Sequence, residues 1–335
     1  MHIHMMIYTP MMTTFLVLLA FLSALPTLYG AAPESADVNN EPTDNNLDSE
    51  MQGIPLPDSI LDIVSADGTT DESGPCKRGV KSWFSPDFGG NWANSWNIIK
   101  ESYGKQNRDA VVDPTGGSKD LVLEVTYPAG SRNPGGKIVG GTGFYAKPID
   151  LSTAKSVSLS YQVLFPKGFN FVKGGKLPGL YGGHPSCSGG NKALDCFSTR
   201  FMFRQNGLGE IYLYVDRNLQ DPSFCKVKPV TICNPTYGAS MGRGAYHFTP
   251  GSWTAVSQTV VLNSFTNGKP NKDGKVTVYA NGKKVIEFTK AVFTPDPKIG
   301  FEGIDFETFF GGNDNSWATP TTQRSYFREF VLSAS

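Results

Sequence analysis

The sequence predicts an all-β protein, an antiparallel sandwich of two sheets, and three observations carry that reading. Runs of alternating β-branched or aromatic and polar residues recur through residues 76–335; Gly, Pro, Asn and Asp punctuate them; and no apolar stripe of helical period persists for three turns. Parallel strands need long crossovers, commonly helical, so many strands joined by turn-rich links imply antiparallel pairing.

Aromatic residues begin abruptly at KSWFSPDFGGNWANSW (81–96), which marks the domain edge. The strand signals follow in order. DLVLEVTYP (120–128) and SVSLSYQVLFP (156–166) alternate apolar and polar residues and stop at a proline. FSTRFMFR (197–204) and EIYLYV (210–215) flank an Asn206-Gly207 turn. WTAVSQTVVL (253–262) is rich in β-branched residues, KVTVYANGKKVIEF (275–288) holds an Asn281-Gly282 hairpin signal, and SYFREFVLS (325–333) closes the series. KGGKLPGLYGG (173–183), with two lysines, five glycines and a proline, reads instead as a cationic loop, excluded from a helix or a central strand. Its glycines would let backbone approach a ligand closely, and its proline would limit its wandering. The whole fits one jelly-roll, concanavalin-like domain over residues 76–335.

The charge is balanced only in total. Of 30 acidic residues, 11 lie in residues 33–75, whereas residues 1–75 contain no Lys or Arg, so residues 76–335 carry a net charge of +11. A cationic body implies capture of a polyanion. Residues 1–30 read as a signal peptide, with the apolar TTFLVLLAFLSAL ahead of the small residues Gly30, Ala31 and Ala32. Residues 31–75 read as an acidic, disordered linker or pro-segment whose charge also suits the cationic groove, where it would restrain activity. No later run is long and apolar enough to span a bilayer, so a secreted, extracellular monomer with no stable membrane association is expected. Five cysteines in an exported chain favour disulfides. Cys187 with Cys196 and Cys225 with Cys233 are the local pairs, Cys76 is left over, and cross-pairing stays open.

The chemistry concentrates in CFSTRFMFRQNGLGEIYLYV (196–215). Strand alternation sets Phe197, Thr199, Phe201 and Phe203 on a core face and Ser198, Arg200, Met202 and Arg204 on the other. The partner strand sets Ile211, Leu213 and Val215 against Glu210, Tyr212 and Tyr214. Ser198, Arg200, Arg204, Tyr212 and Tyr214 thus form one outward patch, within reach of Lys176. β-Elimination of a polyuronic acid requires a group that neutralises the C6 carboxylate, a base for the C5 proton and an acid for the departing O4. In glucuronate and mannuronate the C5 hydrogen and O4 share one side of the ring, so one residue can serve as base and acid. Two tyrosines and a lysine beside an arginine meet that demand with no metal and no cofactor.

These motifs, with TFFGGNDNSWA (308–318), resemble polysaccharide lyase family 14, and in second place the fungal glucuronan lyases of family 20, over roughly residues 157–330. The resemblance implies a β-jelly roll that binds acidic polysaccharide on one sheet. It places the essential lysine on Lys176, the family serine and arginine on Ser198 and Arg200, and the paired tyrosines on Tyr212 and Tyr214. Glucuronan is the first substrate expected and polymannuronate the second. Lys176 and Arg200 would neutralise the carboxylate and Tyr212 or Tyr214 move the protons, with Lys176 as the rival base; Arg204, Gln162 and His184 would bind flanking sugars.

Two other readings compete. FEGIDFETFF (301–310) is similar to the acidic strand of sandwich glycosidases, with Asp305 and Glu307 on one face, but Gly303 interrupts a three-carboxylate pattern. A non-catalytic polysaccharide-binding protein would keep the basic groove without placed proton-transfer groups. Outside the first 30 residues the histidines are His184 and His247, and no His/Cys/Asp cluster has zinc spacing. No nucleic-acid-binding module is present, so nucleic acid is not the expected polyanion.

Overall fold

The computed structural model describes residues 80–335. The expected signal peptide (1–30), the acidic segment (31–75) and Cys76 lie outside the described residues. The strands are β1 (Lys81–Phe84), β2 (Ile98–Tyr103), β3 (Arg108–Val112), β4 (Leu121–Tyr127), β5 (Thr142–Ala146) and β6 (Ser156–Leu164). They continue with β7 (Gly174–Gly182), β8 (Phe197–Arg204), β9 (Leu208–Tyr214), β10 (Ile232–Cys233), β11 (Ala239–His247) and β12 (Trp253–Val261). The chain ends with β13 (Phe265–Thr266), β14 (Lys269–Pro270), β15 (Gly274–Ala280), β16 (Lys283–Ala291), β17 (Phe301–Phe310) and β18 (Gln323–Ala334). One five-residue helix, α1 (Trp92–Trp96), precedes β2.

Two eight-stranded antiparallel sheets form the sandwich. The back sheet runs β16-β15-β12-β6-β18-β4-β3, with β1 on the far end of β18, and the front sheet runs β10-β11-β9-β8-β7-β17-β5-β2. All the runs read as strands in the sequence are strands. Asn281 and Gly282 take φ of +48° and +75°, the left-handed pair that a tight two-residue hairpin requires. Between the sheets lies an aromatic core. Trp96 meets Phe330 edge-on at 4.8 Å, Tyr161 stacks on Phe330 at 4.7 Å, and Phe144 stacks on Phe306 at 4.6 Å.

The stretch read as a cationic loop is β7, a central strand of the front sheet with all nine residues buried. A bulge makes its proline tolerable. Lys176 faces Met202 and Gly179 faces Arg200, so three steps of β7 run against two of β8, and Pro178 falls where the ladder is interrupted and no N–H is required. Its carbonyl accepts a hydrogen bond from Tyr161 Oη, reaching across the core from the back sheet at 3.1 Å. The glycines make room for β8 and not for a ligand. A Cβ at Gly175 would lie 2.3 Å from the Phe203 ring, and one at Gly179 would lie 2.1 Å from Thr199 O and 2.5 Å from Arg200 Cα.

The atoms crowding position 179 are backbone and cannot swing aside. Gly179→Ala should therefore lower stability by at least about 2 kcal/mol, the scale of forced overpacking, seen as a lower urea midpoint at unchanged m. An unchanged midpoint would show that β7 and β8 do not approach in this register.

Candidate active site

The outer face of the front sheet carries a trough of about 700 Å³, lined by Lys176 from β7, Arg200, Met202 and Arg204 from β8, Tyr212 and Tyr214 from β9, and Glu307 from β17. Register explains the convergence. Ser198 pairs with Tyr214, Arg200 with Tyr212 and Met202 with Glu210 across the β8–β9 hairpin, while the β7 bulge brings Lys176 opposite Met202. Along the trough wall a second apolar cluster, including Met202, Tyr212, Tyr214 and the cysteines of the Cys187–Cys196 disulfide, packs against Trp317. The second disulfide joins Cys225 to Cys233.

Lys176 is 8% exposed. Its Nζ lies 3.1 Å from Met202 Sδ and 3.5 Å from the centre of the Tyr212 ring. Among the described residues no carboxylate oxygen comes within 4.0 Å of it. Burial pushes its amine well below the ordinary 10.5, and the positive charges of Arg200 and Arg204 push the same way against Glu210 and Glu307. A thioether and an aromatic face are weak substitutes for a counter-ion. Burial thus favours the neutral amine, the form that can accept a proton.

Arg200 is already paired. Gly179 stands between it and Asp305 in register, and the guanidinium passes over that position to bond Glu307 and to lie 3.5 Å from Asp305 Oδ2. Burial opposes its charge, but Asp305 and Glu307 outweigh it and hold the guanidinium above its usual range. Asp305 is pushed well up, by burial first and by Glu307 second, against the pull of Arg200. The arginine therefore brings little free charge to a substrate.

The free charge comes from a neighbouring trio. Glu210, fully buried, accepts from Arg204 Nη2 at 2.6 Å, Arg243 Nε at 2.8 Å and Ser240 Oγ at 2.5 Å. Burial alone would raise the Glu210 carboxyl, but Arg204, Arg243 and Ser240 together bring it below its usual value. Two guanidinium groups on one carboxylate leave one positive charge facing the trough. Tyr212 is pushed up, by burial first and then by Tyr214, so its phenol keeps its proton into alkaline solution. The rings of Tyr212 and Tyr214 sit 5.8 Å apart.

Three expected residues stand elsewhere. Gln162 cannot bind sugar in this trough: it belongs to β6 of the back sheet, on the face away from the core, bonded to Glu329 and to Arg328 Nη2 at 3.0 Å. His184 is not on the trough wall. Its ring bridges Pro185 O at 2.7 Å and Asp195 Oδ1 at 3.1 Å, which ties down the loop between β7 and β8, and both contacts raise its pKa. Ser198 lies beneath that loop, its Oγ donating to Cys187 O at 2.8 Å, and touches the site through its register partner Tyr214. Sequence reasoning missed Glu210 as a site residue, although alternation had set it on the face of Tyr212. It also missed Arg243, whose Gly-flanked strand gave no periodic signal.

Comparisons with known proteins give the family and support the fold. Residues 115–330 match the family model described as Polysaccharide lyase 14. The fold is similar to the crystal structure of a marine family-14 alginate lyase from Aplysia kurodai, with 31% identity, 76% of this chain and 98% of that one covered, and a TM-score of 0.65. It is also similar to an alginate lyase from a Chlorella virus, with 26% identity, 72% and 94% covered, and a TM-score of 0.62. An endo-β-1,4-glucuronan lyase from Trichoderma reesei, at 13% identity, 76% and 95% covered and a TM-score of 0.48, is too distant to weigh on the substrate. Among curated proteins none matches the sequence. With the family model spanning most of the chain, and with a jelly-roll sandwich that bears a buried lysine and paired tyrosines on its front sheet, the chain belongs to polysaccharide lyase family 14 and is a polysaccharide lyase.

Proposed function

We propose that the trough cleaves a polyuronate by β-elimination, with the mannuronate-rich chains of alginate as first substrate and glucuronan as second. The marine and viral structures described above, at 31% and 26% identity, are both alginate lyases, and this supports placing alginate ahead of glucuronan, the first substrate expected from sequence. The observation that carries the mechanism is Lys176, a buried amine with no carboxylate partner beside a phenol that keeps its proton. The uronate carboxylate meets the surplus charge of Arg204 and Arg243, which makes the C5 proton acidic. Lys176 Nζ takes that proton, the C5–H electrons form the C4=C5 double bond, and the C4–O4 bond breaks. O4 leaves with a proton from Tyr212 or Tyr214. Return of the proton from the ammonium to the phenolate resets the site without net consumption of water or of any redox partner.

Two disulfides and the apolar N-terminal run support export. No helix among the described residues is long and apolar enough to cross a membrane.

Lys176→Ala should cut turnover at least ~100-fold, the usual scale for an acid/base group, as should loss of the donating tyrosine. Lys176→Arg should rescue nothing, because a guanidinium does not give up its proton. The readout is the ultraviolet absorbance of 4,5-unsaturated product from polymannuronate, glucuronan, polyguluronate and pectate. Activity near normal in Lys176→Arg would remove the lysine as base.

Lys176 also sets a pH dependence. Its folded pKa lies below its unfolded value of 10.5, so its burial penalty is full below the folded pKa and vanishes above 10.5. Lys176→Met should therefore raise Tm most at low pH, with the gain shrinking as pH rises toward 10.5, while wild-type kcat/KM falls as pH drops through the same folded pKa. A Tm gain that does not change with pH would count against a buried amine.

The carboxylates separate elimination from hydrolysis. Asp305→Asn keeps the shape of a carboxyl whose pKa is pushed well up and should leave turnover within a few-fold of normal, whereas Glu307→Gln removes Arg200's closer partner and should destabilise by roughly 3–5 kcal/mol. A hydrolase acting through this pair would lose turnover in both variants and would yield reducing ends without the chromophore.

A further inference from the structure

The trough is bridged overhead. The segment 311–317 leaves the front sheet after β17, at the end where Phe310 pairs with Gly175; the segment 234–238 enters it before β11, at the opposite end, where Ala239 pairs with Leu213. Their parent strands are four positions apart in the sheet, about 19 Å at the usual strand spacing. Yet Asn313 Nδ2 donates to Tyr237 Oη at 2.8 Å. Both residues line the cavity that holds Lys176 and Tyr212, so the contact crosses the trough diagonally above them.

Each side of the bridge is braced from behind. Asn133 N donates to Phe310 O at 2.7 Å and its Nδ2 to Gly312 O at 2.9 Å, fixing the 311–317 side. Asn234 Oδ1 accepts from Thr236 N at 2.8 Å and Tyr237 N at 3.0 Å, and Arg217 Nη1 donates to Asn234 O at 3.0 Å, fixing the other. Between two braced posts, this one solvent-exposed hydrogen bond closes the span.

We infer that the Asn313–Tyr237 hydrogen bond is a latch that decides which part of a polyuronate the trough accepts, a reading that rests on the lyase function proposed above. With the latch closed, a short oligosaccharide enters from the trough's ends, but the interior of a long chain cannot be laid in from above without threading. With it open, an internal segment descends onto Lys176 directly. An exposed neutral hydrogen bond favours the closed form by about 2- to 12-fold, enough to bias access and weak enough to open on every turnover.

The test uses a probe that does not depend on the substrate. Full-length wild type, Asn313→Ala, Tyr237→Phe and the double variant are treated with a bulky anionic N-hydroxysuccinimide ester, and acylation of Lys176 is followed by peptide mass spectrometry with exposed Lys167 as the internal standard. Each single variant should label Lys176 about 1.5- to 6-fold faster, as the open fraction rises from between a third and a thirteenth to about a half, with Lys167 unchanged and the double variant no faster than the singles, because both act through one bond. The ratio of kcat/KM on polymannuronate to kcat/KM on its trisaccharide should rise by the same factor. Unchanged labelling, additive effects or an unchanged ratio would each overturn the latch. Faster labelling in a protein that gives no unsaturated product from any polyuronate would overturn the lyase reading and leave the latch standing.

Discussion

A lysine held inside the front sheet without a carboxylate is the constraint around which the rest of this protein is arranged. Burying an amine in this way is unfavourable, and a protein free to choose would place an aspartate beside it. Here every neighbouring acid is engaged elsewhere. Asp305 and Glu307 are turned toward Arg200, and Glu210 is shared by Arg204 and Arg243. What remains near Lys176 Nζ is a sulfur and the face of a phenol. Such a cost needs a rigid scaffold, and the stacked aromatic core directly behind β7 and β8 provides it.

Strand β7 shows how the scaffold and the site share the same residues. The bulge that admits Pro178 also shifts Lys176 into register with Met202, and Tyr161 secures the bulge from the opposite sheet. Gly179 lets β8 approach closely and leaves a gap in the row of side chains, across which Arg200 reaches the acids of β17. Composition alone made this segment look like a loop, because Gly and Pro weaken a strand when neighbours are ignored. The neighbours that make them favourable, Phe203, Thr199 and Tyr161, come from other strands and leave no mark within the stretch itself.

The same division explains what was legible elsewhere. The β8–β9 hairpin is local, so simple alternation across one turn put Arg200, Arg204, Tyr212 and Tyr214 on one face, and the structure has them there. Gln162 and His184 have no local hairpin partner in the sequence to orient them; one faces out from the back sheet and the other braces a loop. Glu210 had the right face but no visible partner, since Arg243 and Ser240 reach it from β11, some 30 residues on. Side-chain pairing between distant strands is what sequence alternation does not encode.

That pairing also decides the chemistry. The strand FEGIDFETFF carries two acids on one face, as a glycosidase would, and a hydrolase needs them in opposite protonation states with room for a sugar between. In this fold a guanidinium engages both acids, with Glu307 on the trough wall and Asp305 buried behind it, and burial first and Glu307 second push the Asp305 carboxyl well up. Arg200 thereby turns a would-be catalytic pair into an anchor for itself. Under the mechanism proposed above, proton transfer passes to Lys176, which has no carboxylate partner among the described residues, and elimination takes the place of the hydrolysis that a free carboxylate pair would perform. The arginine's place on β8, with a glycine between it and the acids of β17, is what keeps that pair engaged in this sandwich.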